Sequence, residues 1–209
     1  MAFNITEFKS RGLLRGGYRP SLFKVRFSAI PPGVVDASSD LEFMCRAASI
    51  PPFIIEPIEV PYFGRKVKVA GDRIFQDWTV TIINDEDFRH RNMFESWSNK
   101  INALRSNRQD SDQSDLLDYQ VSGEILAYGK AGPGDDTGVV RSYRFEGLWP
   151  NLVDAINVDW DAANVLASCD VTFSYDFCEP VIFHPTISPY SGVLAPDPTD
   201  GNGATFPIR

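Results

Sequence analysis

The stretch 64–97, GRKVKVAGDRIFQDWTVTIINDEDFRHRNMFESW, constrains the fold of this chain more than any other. Lys66-Val67-Lys68-Val69 alternates charge with valine, the period of a strand. Ala70-Gly71-Asp72-Arg73 reads as a turn, with Gly71 free to take the positive φ that other residues resist. Asp77 to Ile83 predicts a second strand, dense in β-branched and aromatic side chains. Asn84-Asp85-Glu86-Asp87 then predicts a helix start, with a capping side chain and carboxylates where the helix dipole favours them. Phe94, Trp97, Ile101 and Leu104, three and four apart, make one apolar stripe on that helix. Strand, turn, strand, helix is the expectation. No reactive constellation lies within it.

Two-faced strands recur along the chain. From Ser21 to Ile30, Phe23, Val25, Phe27 and Ala29 alternate with Lys24, Arg26 and Ser28. Leu41 to Ala47 reads as the next strand, with Phe43, Cys45 and Ala47 on one face, and Ile156, Val158 and Trp160 as a short later one. Tyr119 to Leu126 and Val139 to Phe145 flank a turn-rich connection and predict a hairpin. The cleanest case sets Ala167, Cys169, Val171, Phe173, Tyr175 and Phe177 against Ser168, Asp170, Thr172, Ser174 and Asp176. One side is core and the other is wet, acidic and hydroxylated. The fold class is mostly β: an antiparallel sandwich or barrel with one flanking α-helix and extended N- and C-terminal arms. Residues 1–19 read as an N-terminal arm, 20–178 as the β domain and 179–209 as a Pro-rich C-terminal extension.

Phe53, Ile54, Ile55, Ile58, Val60, Tyr62 and Phe63 form an apolar run broken by Pro57 and Pro61, which exclude it from a central strand. Two readings stand. Either the run packs on its own domain, or it projects as a hairpin or loop that meets a neighbouring ring or subunit, and the second is preferred. Apolar edges are normally hidden because they invite pairing with another chain.

Composition removes several function classes. A chain of 209 residues is long enough for one good core. Its 28 acidic and 20 basic residues leave a net charge of −8, which argues against a surface built to clamp nucleic acid. Cys45, Cys169 and Cys178 are too few for a disulfide framework and imply folding in a reduced compartment. The first eleven residues hold no apolar leader core, and no run approaches the roughly 18 apolar residues of a membrane span. Synthesis in a cytoplasm without export is the expectation. Nucleotide-binding glycine motifs, HExxH and GxSxG are all absent. His90 and His184 read as solvated side chains, Asp85 to Asp87 as a first helical turn, and Asp135-Asp136 as a solvated turn. Of Trp78, Trp97, Trp149 and Trp160, three sit at core parity. No catalytic residue, metal or cofactor is expected.

One family shares these words in order. The pattern Ala70-Gly71-Asp72-Arg73, Phe75, Asp77-Trp78-Thr79-Val80-Thr81, Asn84-Asp85-Glu86 closely resembles the tail tube proteins of contractile-tailed (myovirus) bacteriophages. Gly147-Leu148-Trp149-Pro150, then Asp159-Trp160-Asp161 and Asn164, extend the match, with a weaker one at Cys45-Arg46-Ala47 and Pro51. The resemblance runs from about Tyr18 to Cys178. Such proteins are related in fold to the tubes of type VI secretion systems and contractile injection devices. The resemblance implies six copies closing into a ring and rings stacking into a rigid tube inside a sheath. It further implies a tape-measure protein in the lumen, tail terminator and baseplate proteins at the ends, and genomic DNA passing through without specific binding. It places the protein in the virion tail, assembled in the host cytoplasm, with no membrane partner. Asp170, Thr172, Ser174 and Asp176 are assigned to the lumen, although alternation alone leaves the tube exterior equally open. Other readings are the tube of a phage-derived injection or secretion device, and a monomeric β-sandwich binding module.

Overall fold

The structure, a computed structural model, describes residues 4–12, 17–109, 115–130 and 138–182. Asp135-Asp136, His184 and all of the Pro-rich extension beyond Ile182 lie outside them. Helix α1 (Ile5–Glu7) is capped by Asn4, whose Oδ1 accepts from the Thr6 and Glu7 amides, and it runs on as the π-helical Phe8–Gly12. Then follow β1 (Phe23–Phe27), α2 (Ser38–Met44), β2 (Cys45–Ala48), β3 (Ile54–Tyr62), β4 (Arg65–Ile74) and β5 (Trp78–Ile83). The rest comprises α3 (Arg89–Ile101), α4 (Leu116–Tyr119), β6 (Val121–Tyr128), β7 (Val139–Val153), β8 (Ser168–Ser174) and β9 (Phe177–Ile182).

Six strands run in the order β1-β6-β7-β8-β5-β2, β9 is added on β7, and every pairing is antiparallel. Strand β7 serves two neighbourhoods. Its stretch 141–146 lies between β6 and β9, whereas Trp149 to Val153 pairs with β8. The change falls at Gly147, with φ 69°, where an added Cβ would overlap the Asp176 carboxylate. The mostly β, antiparallel expectation is borne out. The sheet does not close among the described residues, so the arrangement is an open sandwich and not a barrel.

The core lies where the pleat puts it. Trp78, Val80 and Ile82 of β5 and Cys169, Val171 and Phe173 of β8 point inward, and their alternates face out. Trp78 stacks on Phe145 with ring centroids 4.2 Å apart and meets Phe173 at 5.7 Å. Helix α3 lays Met93, Phe94 and Trp97 on the same cluster. The polar ends of the two indoles are satisfied: Trp78 Nε1 donates to the Ser49 carbonyl at 2.8 Å and Trp97 Nε1 to Tyr119 at 2.9 Å.

Several local expectations need correction. Residues 38–44 are helical, with Leu41 buried and Phe43 exposed, so only Cys45 to Ala48 of that segment is strand. Tyr119 closes α4 instead of opening β6. The stripe on α3 ends at Ile101; Leu104 lies past the helix and is exposed. Residues 154–167 form a loop and no strand, and Trp160 at its centre is fully exposed. Phe177 is exposed, because the chain bends at Tyr175-Asp176 before β9 and the parity changes. Beyond Cys178 the strand continues through Pro180, which suits an edge position.

Truncating the central ring should cost what a buried indole contributes. Trp78→Ala is expected to lower unfolding free energy by about 3–5 kcal/mol, read from the shift of the urea midpoint.

Candidate assembly interface

Strands β3 and β4 form a hairpin separate from the main sheet. Its turn is Phe63-Gly64, with φ of 42° and 79°, the two left-handed residues of a type I′ connection. Gly64 accepts that backbone freely. Phe63 does not, yet it stands at the tip with 93% of its surface exposed. The expected turn at Ala70-Gly71-Asp72-Arg73 is instead a bulge inside β4: Ile55 pairs with Arg73 and Pro57 with Ala70, one extra residue on the β4 side. Gly71 is needed there for close approach and not for positive φ, since a Cβ would lie 2.6 Å from the Glu56 carbonyl and 2.9 Å from Ile58 Cγ1.

That bulge sorts the side chains. Ile54 pairs with Ile74 on one side of it; Ile58 with Val69 and Val60 with Val67 on the other. Without the extra residue, Ile74 and the two valines would fall on opposite faces, because the side-chain period is two. With it, all of them share one face with Tyr62. The other face carries Glu59 opposite Lys68 and Pro61 opposite Lys66, with Lys66 Nζ 2.5 Å from Glu59 Oε2. Ile55, Ile58, Val60, Tyr62, Val67 and Val69 are all exposed, while Ile54 is half-buried at the hairpin base. Phe53 sits where the hairpin leaves the domain, against Tyr143 and beneath the Arg73 guanidinium.

A second surface is the outer face of β5 and β8. Thr79 and Thr172 share a hydroxyl contact of 3.1 Å, and Thr81 pairs with Asp170. Asp77 accepts from Ser174 Oγ at 2.8 Å and from Asn151 Nδ2 at 3.2 Å. Asp170, Thr172 and Ser174 therefore lie together on a polar, anionic face. Asp176 lies at its margin, in the bend against Gly147, with its amide donating to the Glu146 carbonyl.

Several of the remaining motif residues lie within the fold. Leu148 and Pro150 are buried, and Trp149 meets Tyr119 edge-on. Asp85 starts α3: its Oδ1 accepts from the Arg89 amide at 2.9 Å and its Oδ2 from Arg89 Nε at 2.6 Å. That side-chain hydrogen bond holds the Asp85 carboxyl below its usual range. The helix thus begins later than expected, after Phe88 in a left-handed conformation. Asn84 is buried and accepts from Cys169 Sγ at 3.5 Å. Burial raises all three thiols, Cys45 and Cys178 to about 12, which disfavours the thiolate a nucleophile or metal ligand needs. Trp160 and Asp161 lie on the exposed loop, where the Asp161 amide donates to Asp159 Oδ1.

His90 reverses its expectation. It is 1% exposed on the inner face of α3, and its ring nitrogens have no hydrogen-bond partner among the described residues. The signal was present: His90, Phe94 and Trp97 are spaced four and three apart, one helix face.

A phage tail tube protein family model matches residues 18–177. The chain belongs to that family. This tail tube chain is 34% identical over 161 residues to the tail tube protein gp19 of Enterobacteria phage T4, covering 77% of this chain and 90% of the relative. Its fold is similar to that of the sheath/tube terminator of a PVC extracellular contractile injection system in the extended state. There the TM-score is 0.55 at 14% identity, over 79% of this chain and 96% of that one. It is also similar to the tube-terminating cap of the anti-feeding prophage, with TM-score 0.54 at 16% identity, over 80% and 92%. The resemblance carried by the two motif blocks is borne out.

Burial pushes the His90 pKa down, opposed by the charge of Asp85. The unfolded chain therefore binds this proton more readily than the folded one. Stability is expected to fall as pH drops below about 6.5, the ordinary histidine value, toward the depressed native pKa. Thermal melts from about pH 7.5 to about pH 5 should show that slope, and His90→Leu should flatten it.

Proposed function

We propose that this tail tube chain closes into hexameric rings and that the rings stack, through the β3-β4 hairpin, into the rigid inner tube of a contractile tail. The observation that carries the reading is the hairpin's uncovered apolar face. A strand pair with that much exposed aliphatic surface is an association surface, because an isolated two-stranded sheet is marginal in water. Ile54, Ile58, Val60 and Tyr62 are its contact residues on that face, Phe63 extends it at the tip and Phe53 at the base, and Ile55 lies on the opposite face beside Arg73. A left-handed Phe63 at the tip supports the same view, since strain of that kind gathers where function holds it. The open margins of the main sheet are completed by neighbouring copies, which removes edges that would otherwise aggregate.

In this reading the tube lies within a sheath, is filled by a tape-measure protein during assembly in the host cytoplasm, and is bounded by baseplate and terminator proteins. It then conducts genomic DNA. Asp170, Thr172 and Ser174, with Asp176 at the margin, face the lumen. Carboxylates and hydroxyls without cations repel phosphate, so DNA slides without specific binding. The role is structural and needs no catalytic group. A phage tail is favoured over an injection device because sequence identity rises to one third with a phage relative, whereas the injection-system likeness is one of fold.

Charge on the hairpin should separate folding from assembly. Ile58→Asp or Val60→Asp is expected to give a folded monomer, with unchanged circular dichroism and melting, that forms no tubes under negative-stain microscopy. Normal tubes would refute the stacking role. A cation on the inner wall should separate assembly from conduction. Asp170→Lys is expected to leave tubes intact and slow DNA ejection from virions, and unaffected ejection would discard the luminal placement.

A further inference from the structure

The hairpin needs a receptor, and one loop has the complementary character. Residues 154–167 connect β7 to β8 and carry Asp154, Asp159 and Asp161 with no lysine or arginine. They also expose apolar surface: Val158 at 92%, Trp160 at 103%, and Val165 and Leu166 at 72% each. A tryptophan wholly in water is the least expected residue on a stable surface, and tryptophan is over-represented where partners anchor. The hairpin's outer half is its opposite in charge. Arg65, Lys66 and Lys68 outnumber Glu59, and Arg65 stands opposite Tyr62, on the apolar face itself.

The topology puts these two elements at opposite ends of one strand. The hairpin leads into Trp78, the first residue of β5. The loop leads into Ser168, which pairs with Ile83, the last residue of β5, and the Asn84 amide donates to the Ala167 carbonyl at 2.9 Å. A chain with a basic, apolar projection at one end and an acidic, apolar receptor at the other cannot satisfy both by folding on itself. Identical copies satisfy both by stacking head to tail, and a heterologous contact of this kind generates an open filament.

We propose that the 154–167 loop of one copy is the seat for the β3-β4 hairpin of the next. Trp160 and Val158 cover the face of Ile58, Val60 and Tyr62, and Asp159 and Asp161 meet Arg65. This rests on the stacking reading and names its missing half. The occupant is a second copy of this chain, argued from the charge match and from the opposed placement along β5.

Charge reversal and rescue test the pairing in the full-length chain. Arg65→Glu alone, and Asp159→Arg with Asp161→Arg alone, should each raise the concentration needed for tube formation by about tenfold or more, because like charges then face one another. Combining all three should restore tubes. As a second readout, chains carrying Val60→Cys are mixed with chains carrying Trp160→Cys, assembled and oxidised. A disulfide-linked dimer that needs both variants is expected, since such bonds form only when Cα atoms approach within about 7 Å. If the loop variants assemble normally while Ile58→Asp does not, the seat is wrong and the stacking hairpin stands. If Ile58→Asp also assembles normally, the stacking reading falls. Absence of rescue together with absence of the cross-link overturns the proposal.

Discussion

Strand β7 belongs to two neighbourhoods at once, and Gly147 is where it passes from one to the other. Before that glycine the strand is held between β6 and β9; after it the strand is held by β8. A side chain at 147 would be strained by the positive φ and would overlap Asp176. Everything inward depends on this bend. It folds the sheet toward itself so that Phe145 of one half and Phe173 of the other both reach Trp78, and it leaves room for α3 to close the cluster with Phe94 and Trp97. Continuous backbone pairing through β7 means the two halves cannot separate without breaking the core.

The hairpin solves a different problem. Its apolar residues do not belong to the core, so the domain neither needs them nor covers them. The bulge at Gly71 costs one ladder position and in return holds Ile54, Ile74, Val67 and Val69 on a common face. That common face is the one the stacking proposal assigns to a neighbouring copy. The charged face opposite keeps the projection soluble on its other side.

Much of this was legible in the residues, for a definite reason. Where one face is buried and one wet, as in β5 and β8, strict alternation fixes both the strand and its orientation. The apolar run at 53–63, too prolines-rich for a central strand, marked the projecting element. The failures share a cause as well. Phe43, Cys45 and Ala47 alternate like a strand, yet Leu41 is the residue that is buried and α2 forms around it. A glycine in a turn and a glycine in a bulge look alike in sequence, and only the pairing of Tyr62 with Arg65 around Phe63-Gly64 shows where the chain reverses. Alternation at Ile156, Val158 and Trp160 mimics a strand that has no partner to pair with. The polar neighbours of His90 in sequence point to solvent, whereas its place on the inner face of α3 buries it.

An uncovered strand pair on a chain of net charge −8 sets two long-range tendencies against each other. Mutual repulsion keeps dilute copies apart, while the proposed stacking contact favours association only once several can engage together. Growth of such a polymer has a threshold: below it the solution holds single chains, and above it added chains go into filaments. Salt, which shortens the reach of the repulsion to about 10 Å at 0.1 M, moves that threshold downward. Under the proposed stacking, ionic strength thereby becomes a control on when a tail begins to lengthen.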